Sequence, residues 1–462
     1  MYDLGIVGGG PGGYVCALRG AQLGLKVVLF EEAELGGTCL NRGCIPTKAL
    51  LHVAEVYQQS LTAEEFGLRV ESVTLDYAAA VAWKDRVVSK LVGGVDNLLR
   101  AAGVDVVRER AEVAPGRVLA GGEEFPVRNI VLATGSRPAM PPIEGRDLDG
   151  VITSDGALSL SHVPRGMVVI GGGVIGVELA CLFAALGCEV TLIEMERTLL
   201  PTVTDAEVAR RLTPALKRAG IKVVTGHRVQ RIEQTAGGLV VLHGADPERA
   251  EGSEAELVLI ATGRVPDFGG LNLDSLGVDY GGRGIEVDSH MRTSVPGVYA
   301  VGDVTGGPLL AHVASHEGMV AAENVAGRDT TMDYSAIPAA VFSTPEIASV
   351  GLTEQQLKEK GVAYKKSTFS FAANGRALCL GQAEGVVKLL AEEETGRLLG
   401  AHLLGPGASE LIHEVVVAMR AGLTASDIKH AVHAHPTLSE AIAEAAFGFF
   451  EGPLHQARRG RR

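Results

Sequence analysis

The stretch Leu4-Gly5-Ile6-Val7-Gly8-Gly9-Gly10-Pro11-Gly12-Gly13 decides the fold. A short apolar strand runs straight into a glycine loop that opens a helix. Gly8 permits the tight turn, Gly10 lets backbone approach a pyrophosphate, and Gly13 lets the helix pack on the sheet. The unpaired N–H groups at that helix start suit phosphate oxygens. The helical stretch ends at Leu23-Gly24, and Lys26-Val27-Val28-Leu29-Phe30-Glu31 forms the next strand. Glu31 stands where a carboxylate accepts hydrogen bonds from ribose hydroxyls.

The same plan returns later. Met167-Val168-Val169-Ile170 leads into Gly171-Gly172-Gly173-Val174-Ile175-Gly176, a helix ends at Leu186-Gly187, and Glu189–Glu194 forms a strand. Gly171, Gly173 and Gly176 repeat the three glycine roles, and Glu194 repeats Glu31 at the same interval from the last loop glycine. One such loop is weak evidence, because any tight strand-to-helix turn favours glycine; two in matched context are strong. A carboxylate at Glu194 repels a 2′-phosphate, so NAD is favoured over NADP at the second site, with Arg197 as the one contrary charge. Each unit closes on a duplicated strand and turn: Ile130–Gly135, with Thr134 and Gly135 in the turn, and Val258–Gly263, ending in Gly263.

The expected architecture is α/β: two Rossmann-like dinucleotide-binding domains plus a C-terminal α+β interface domain. The boundaries read as 1–145 and 146–270 for the two nucleotide domains and 271–340 for a central region packing on the first. Residues 341–462 form the interface domain, with β-type runs such as Gly385–Leu390 and helices at Ser409–Arg420 and Ser439–Phe447.

Just after the first unit's second strand comes Gly36-Gly37-Thr38-Cys39-Leu40-Asn41-Arg42-Gly43-Cys44-Ile45-Pro46-Thr47-Lys48. In an ideal helix, residues five apart are too distant to bridge, so a Cys39–Cys44 disulfide needs a loop or a broken turn. Gly43 and Pro46 provide for one, and a helix start at Cys44 would depress its thiol pKa. So short a loop gains little as a structural staple. A zinc site is the alternative, but the spacing is poor and no second cysteine pair completes four ligands. The run therefore reads as redox-active, and the nucleotide site beside it suits a permanently bound redox cofactor such as FAD. Lys48, one helical turn after Cys44, either stabilises a thiolate or a reduced flavin or is a solvated lysine. Cys16, Cys181, Cys188 and Cys379 are scattered among apolar neighbours and are expected to be small core residues.

Composition narrows the classes. At 462 residues the chain exceeds one core, and mean hydropathy of +0.21 allows large ones. A net charge of −13 argues against nonspecific nucleic-acid binding. No apolar run reaches membrane-spanning length, and the start at Met1-Tyr2-Asp3 lacks a basic n-region, so a cytoplasmic protein is expected. The basic tail Arg458-Arg459-Gly460-Arg461-Arg462 reads as a solvated terminus or as a contact with an acidic partner.

Near the C-terminus, His433-Ala434-His435-Pro436-Thr437-Leu438-Ser439-Glu440 precedes a helix. A dithiol must lose protons before it attacks a disulfide, and histidine is the base with a suitable pKa. Glu440 could hold the imidazole tautomer. Two histidines compete for the role on sequence alone.

These motifs together resemble the flavin-dependent pyridine nucleotide-disulphide oxidoreductase family, over essentially the whole chain. The cysteine run resembles its redox motif, His433–Glu440 its acid–base motif, and Val298-Tyr299-Ala300-Val301-Gly302-Asp303 its second flavin motif. The resemblance is to the branch that oxidises dihydrolipoyl groups with FAD and NAD. It implies that Cys39 is the interchange thiol and Cys44 the flavin-facing thiol. It implies also that Lys48 lies near the flavin and pairs with Glu178, that Asp303 contacts the ribityl chain, and that His435 is the base with Glu440 as partner. In that family the base comes from the other subunit, so a homodimer is implied. The implied partner is the dihydrolipoyl acyltransferase of 2-oxo acid dehydrogenase complexes or the lipoyl carrier protein of glycine cleavage. Asp267 departs from the family's usual asparagine, with a conservative effect expected. Val174 and Ile175 stand where a glutathione-reducing relative carries a gating tyrosine. Glu194 disfavours an NADPH-dependent reductase of another disulfide. The end of the chain has no extra cysteine pair for mercury reduction, and a non-enzymatic flavoprotein would have no need of His435 with Glu440.

Overall fold

The computed structural model describes residues 1–246 and 248–456; the basic tail lies outside them. Its first sheet has a parallel portion in the spatial order Asp105–Val107, Val27–Phe30, Tyr2–Val7, Glu123–Leu132, Val298–Ala300. The second sheet is parallel in the order Lys222–Thr225, Glu189–Glu194, Gly166–Ile170, Leu257–Ile260, Val151–Ile152. The duplication read from the glycine loops is thus a duplication of topology. In both sheets the first strand lies centrally, between the second strand and the closing strand.

Each unit also carries an antiparallel meander. In the first it is Ala111–Ala114, Arg117–Ala120 and the opening half of Glu123–Leu132. In the second it is Arg228–Thr235, Gly238–Gly244 and Glu251–Ala255. The long strand Glu123–Leu132 serves both arrangements, pairing antiparallel near its start and parallel near its end. Strands buried on both faces need continuous apolar runs, and Leu4, Ile6, Val28, Leu29, Val168 and Val169 are all fully buried.

Strand Val298–Ala300 joins the first sheet beside Ile130–Leu132, so chain beyond the second unit returns to the first. It then enters the helix Ala311–Val325, which packs across the loop helix Pro11–Gln22. A methyl group at Gly318 would overlap the Gly12 carbonyl oxygen, so glycine sets how closely the two helices cross. The C-terminal region is a five-stranded antiparallel sheet in the order Pro338–Val341, Ile347–Gly351, Leu398–Leu404, Val386–Glu392, Tyr364–Ser370. Helices Ala408–Arg420, Ala425–His430 and Glu440–Phe447 contribute to its core.

Cys16, Cys181 and Cys188 are buried as expected, but Cys379 is exposed. It ends the five-residue helix Gly375–Cys379, in which Ala377 faces inward and the last turn faces solvent. A helix that short buries one stripe, and Cys379 falls off it. No helix among the described residues is long and apolar enough to cross a membrane.

Candidate active site

Backbone geometry requires the two glycine loops. Gly8 has φ +106° and Gly171 φ +112°, a region that side chains disfavour. A methyl group at Gly13 would collide with the Gly8 carbonyl oxygen, and one at Gly176 with that of Gly171. Both loops leave room: a Cβ at Gly173 would meet nothing within 4 Å, and one at Gly10 would meet the Gly37 Cα only at 4.0 Å. The helices Pro11–Gln22 and Val174–Ala185 start with no side chain capping their first-turn N–H groups. Open space over uncapped N–H donors fits a pyrophosphate at each loop. Glu31 accepts hydrogen bonds from Gly9 N (2.7 Å) and Ala33 N (2.8 Å), and Glu194 from Gly172 N (2.6 Å) and Glu196 N (2.7 Å). Both carboxylates are fixed at the loop edge with lone pairs left for a ribose.

The cysteine run is tied to the first loop. Gly36 N donates to Gly9 O (2.8 Å), and a Cβ at Gly37 would press on the Gly10 Cα. Helix Gly37–Arg42 ends at Gly43, whose φ of −142° and ψ of −107° break the spiral, and a new helix spans Cys44–Leu61. The break brings Cys39 and Cys44 together. Both are free thiols, and they share a hydrogen bond. Cys44 is lowered to about 7, first by the hydrogen bond from Cys39 and then by the Lys48 charge, against the opposing effect of burial. Cys39 is pushed up by that same hydrogen bond and by desolvation. The two thiols shift in opposite directions, Cys39 upward and Cys44 downward, so Cys44 is the more acidic of the pair. The half-buried Tyr14 hydroxyl is raised first by desolvation and then by the neighbouring Cys39.

Lys48 is not a solvated lysine. Its Nζ lies 2.8 Å from Glu178 Oε2 and 4.6 Å from the centroid of Phe342. Glu178 is 4% exposed, and its other oxygen accepts from Phe342 N (2.9 Å). This pair links the redox helix to the helix that follows the second glycine loop.

The turn Gly302–Thr305 presents Asp303, which accepts from Ser136 Oγ (2.5 Å). Arg264 donates through Nε to Ser136 Oγ (2.7 Å) and through Nη2 to Ser136 O (2.6 Å), with Thr38 Oγ1 at 3.5 Å. Its Nε lies 4.0 Å from Asp303. Ser136 and Arg264 directly follow the two small-residue turns, and the strands Ser136–Pro138 and Arg264–Pro266 pair antiparallel. The sequence reading missed both residues, although their position after the duplicated turns was a usable signal. Gly135 and Gly263 turn with φ +74° and +117°, and Thr134 Oγ1 bonds Asp267 O at 2.6 Å. Asp267 caps Gly269 N at 3.0 Å, a bond that asparagine could also accept, in keeping with a conservative departure.

The structure separates the two histidines. His433 is largely enclosed and uses both ring nitrogens, with Glu414 Oε1 at 2.9 Å and Ala431 O at 3.0 Å. His435 is 78% exposed at its side chain, and only Nδ1 is engaged, by Glu440 Oε1 at 2.9 Å. Among the described residues its Nε2 has no partner. Desolvation draws the Glu440 carboxyl upward, but the Thr437 N–H (2.8 Å) and His435 hold it below its usual range. A carboxylate on Nδ1 leaves Nε2 as the basic nitrogen, facing solvent. No hydrogen bond connects His435 with either cysteine within the described residues of this chain.

Residues 2–318 match the family described as Pyridine nucleotide-disulphide oxidoreductase. The chain belongs to this family. Residues 337–446 match the family's dimerisation domain. A dihydrolipoyl dehydrogenase of Geobacillus stearothermophilus is 44% identical over 456 residues, covering 97% of this chain and 96% of that protein. One from Thermus scotoductus is 45% identical over 459 residues, covering 98% of each. Among solved structures, the HOCl-induced flavoprotein disulfide reductase RclA of Escherichia coli superposes with a TM-score of 0.86 at 30% identity, over 96% of this chain and 99% of that one. The disulphide oxidoreductase fold, with two dinucleotide units and a dimerisation domain, is therefore the fold of this chain, and FAD and NAD are its cofactors.

Proposed function

We propose that this chain is a dihydrolipoyl dehydrogenase, oxidising protein-bound dihydrolipoyl groups to the cyclic disulfide and reducing NAD⁺. Residues 1–145 hold FAD, 146–270 hold NAD, 271–340 form the central region and 341–462 the dimer interface. The observation that carries the reading is the Cys39–Cys44 pair, brought together by the helix break at Gly43 and tied to the first glycine loop. The Lys48–Glu178 pair reaches from there to the second.

In the oxidised enzyme Cys39 and Cys44 form a disulfide. His435 Nε2 of the partner subunit removes a proton from one substrate thiol, and the resulting thiolate attacks Cys39 Sγ. The Cys39–Cys44 bond breaks, and Cys44 leaves as a thiolate. The Lys48 charge favours that thiolate, and a more stable thiolate departs faster. The second substrate thiol, deprotonated in turn, attacks the mixed disulfide. The cyclic lipoyl disulfide forms, and Cys39 is released to take up a proton. Lys48 stabilises the Cys44 charge, and Glu178 holds Lys48 in place. Bound at the first glycine loop, FAD would supply a two-electron acceptor for the cysteine pair, and NAD⁺ at the second would carry those electrons away as hydride. Gly8, Gly10 and Gly13 with Glu31 hold the first cofactor's pyrophosphate and ribose, with Thr38, Thr134, Gly135 and Asp303 along the remainder. Gly171, Gly173, Gly176, Glu194 and Gly263 hold the second.

His435 projects outward with its Nε2 open, which suits service to a second copy, so the working unit is a homodimer. The lipoyl group arrives on an acyltransferase or a carrier protein in the cytoplasm. The test is anaerobic mixing with dihydrolipoamide and NAD⁺, which should yield NADH. Cys44→Ser should keep the flavin and lose turnover. His435→Gln should lose about 10²–10⁴-fold in dithiol oxidation yet keep NADH-to-dye electron transfer. Flavin-loaded protein that ignores dihydrolipoamide would refute the reading, and equal loss of both activities in His435→Gln would remove that histidine from the role of base.

A further inference from the structure

A buried carboxylate behind the Asp303 turn has no part in the chemistry above. Glu317 lies on helix Ala311–Val325 and is 1% exposed. Its Oε2 accepts from Gly302 N (2.6 Å), and its Oε1 accepts from Tyr334 Oη (2.6 Å). No ion pair to Glu317 occurs among the described residues. Burial and the nearby Asp303 charge push its carboxyl above the usual range, against those two hydrogen bonds. A charge held in this way, without a cation, needs a reason.

The turn supplies one. Gly302 has φ +75°, and a methyl group there would press on the Ala314 side chain. The turn must therefore run tight against the helix, with the Gly302 N–H pointing into the protein. A buried N–H without an acceptor costs about 1–3 kcal/mol. The next residue is Asp303, and Ser136 and Arg264 converge on its carboxylate.

We infer that Glu317 is a positioning residue of the flavin site: by anchoring Gly302 N–H it fixes the turn that presents Asp303. Tyr334 fixes the Glu317 carboxylate in turn. This rests on the FAD reading of the first site.

The test is FAD release from the holoenzyme, followed by the rise in flavin fluorescence on dilution. Glu317→Ala should speed release about 10- to 100-fold. Glu317→Gln keeps an acceptor for Gly302 and should stay within about threefold of wild type. Asn324→Ala, on the same helix, removes bonds to His290 O, Val320 O and Thr330 O and is the packing control. It should lower the melting temperature without speeding release. Tyr334→Phe, at a partly exposed position, should speed release a few-fold and serves if Glu317→Ala does not fold. Release from Glu317→Ala at the wild-type rate would overturn the inference. So would Glu317→Gln behaving like Glu317→Ala, or unchanged release from Tyr334→Phe where the alanine variant fails. Wild-type protein that takes up no FAD would instead overturn the reading beneath it.

Discussion

Lys48 and Glu178 should move the Cys44 thiol in opposite directions. Lys48 lies one helical turn after Cys44, and residues so spaced are about 6 Å apart. At an effective dielectric of about 20 a unit charge at that distance is worth roughly 3 kcal/mol. The Lys48 side chain is 30% exposed, so solvent cuts this by about half, leaving roughly one pKa unit. Lys48→Met also leaves the Glu178 charge uncompensated, and that charge already raises Cys44. The wild-type midpoint of about 7 should therefore rise to about 8 in Lys48→Met and fall below 7 in Glu178→Gln. The assay is the pH dependence of iodoacetamide alkylation in the reduced protein, read by mass spectrometry. Trypsin cuts after Arg42, so Cys39 and Cys44 fall in separate peptides. An unchanged or lower midpoint in Lys48→Met, or a raised one in Glu178→Gln, would refute the electrostatic account of why Cys44 carries the charge.

Two further outcomes follow from the geometry. Gly176→Ala forces a methyl group into the Gly171 carbonyl oxygen, so NAD⁺ reduction should fall at least tenfold while dihydrolipoamide still reduces the cysteine pair; normal NADH formation would contradict the role of that loop. Lys388 is fully buried against Asp205 (2.8 Å), Glu207 (3.0 Å) and Glu354, and Lys388→Met should cost about 3–5 kcal/mol at pH 7 by urea unfolding. Burial draws Asp205 and Glu354 upward, but Lys388 and their other hydrogen bonds hold both at about 2. Depressed carboxylates stabilise the fold above their unfolded pKa of about 4, and this is lost as pH falls toward 2. The penalty for Lys388→Met should therefore shrink across that window, and a penalty that is constant with pH would contradict the pairing.

The sequence by itself determined the two nucleotide units, because a strand, a glycine loop and a helix are local events enforced by sterics within a few residues. It also determined the redox pair, since a break at Gly43 is all that Cys39 and Cys44 need to meet. The acid–base motif was legible, but its own residues left two histidines open and only the family resemblance pointed to His435; packing against Glu414 engages His433 and leaves the His435 Nε2 open. Lys48 was likewise open on its local sequence, and its pairing with Glu178 came only from the family resemblance. Its partner Glu178 lies 130 positions along the chain, so no pattern around Lys48 reveals it. The Ser136–Arg264–Asp303 cluster and the anchoring of Gly302 by Glu317 likewise join separate segments, and Cys379 looks apolar in sequence yet faces solvent. Local rules fix where the chain turns and which groups carry chemistry. Only the tertiary fold decides which charges are desolvated and by what they are held, because that depends on contacts between residues far apart in the chain.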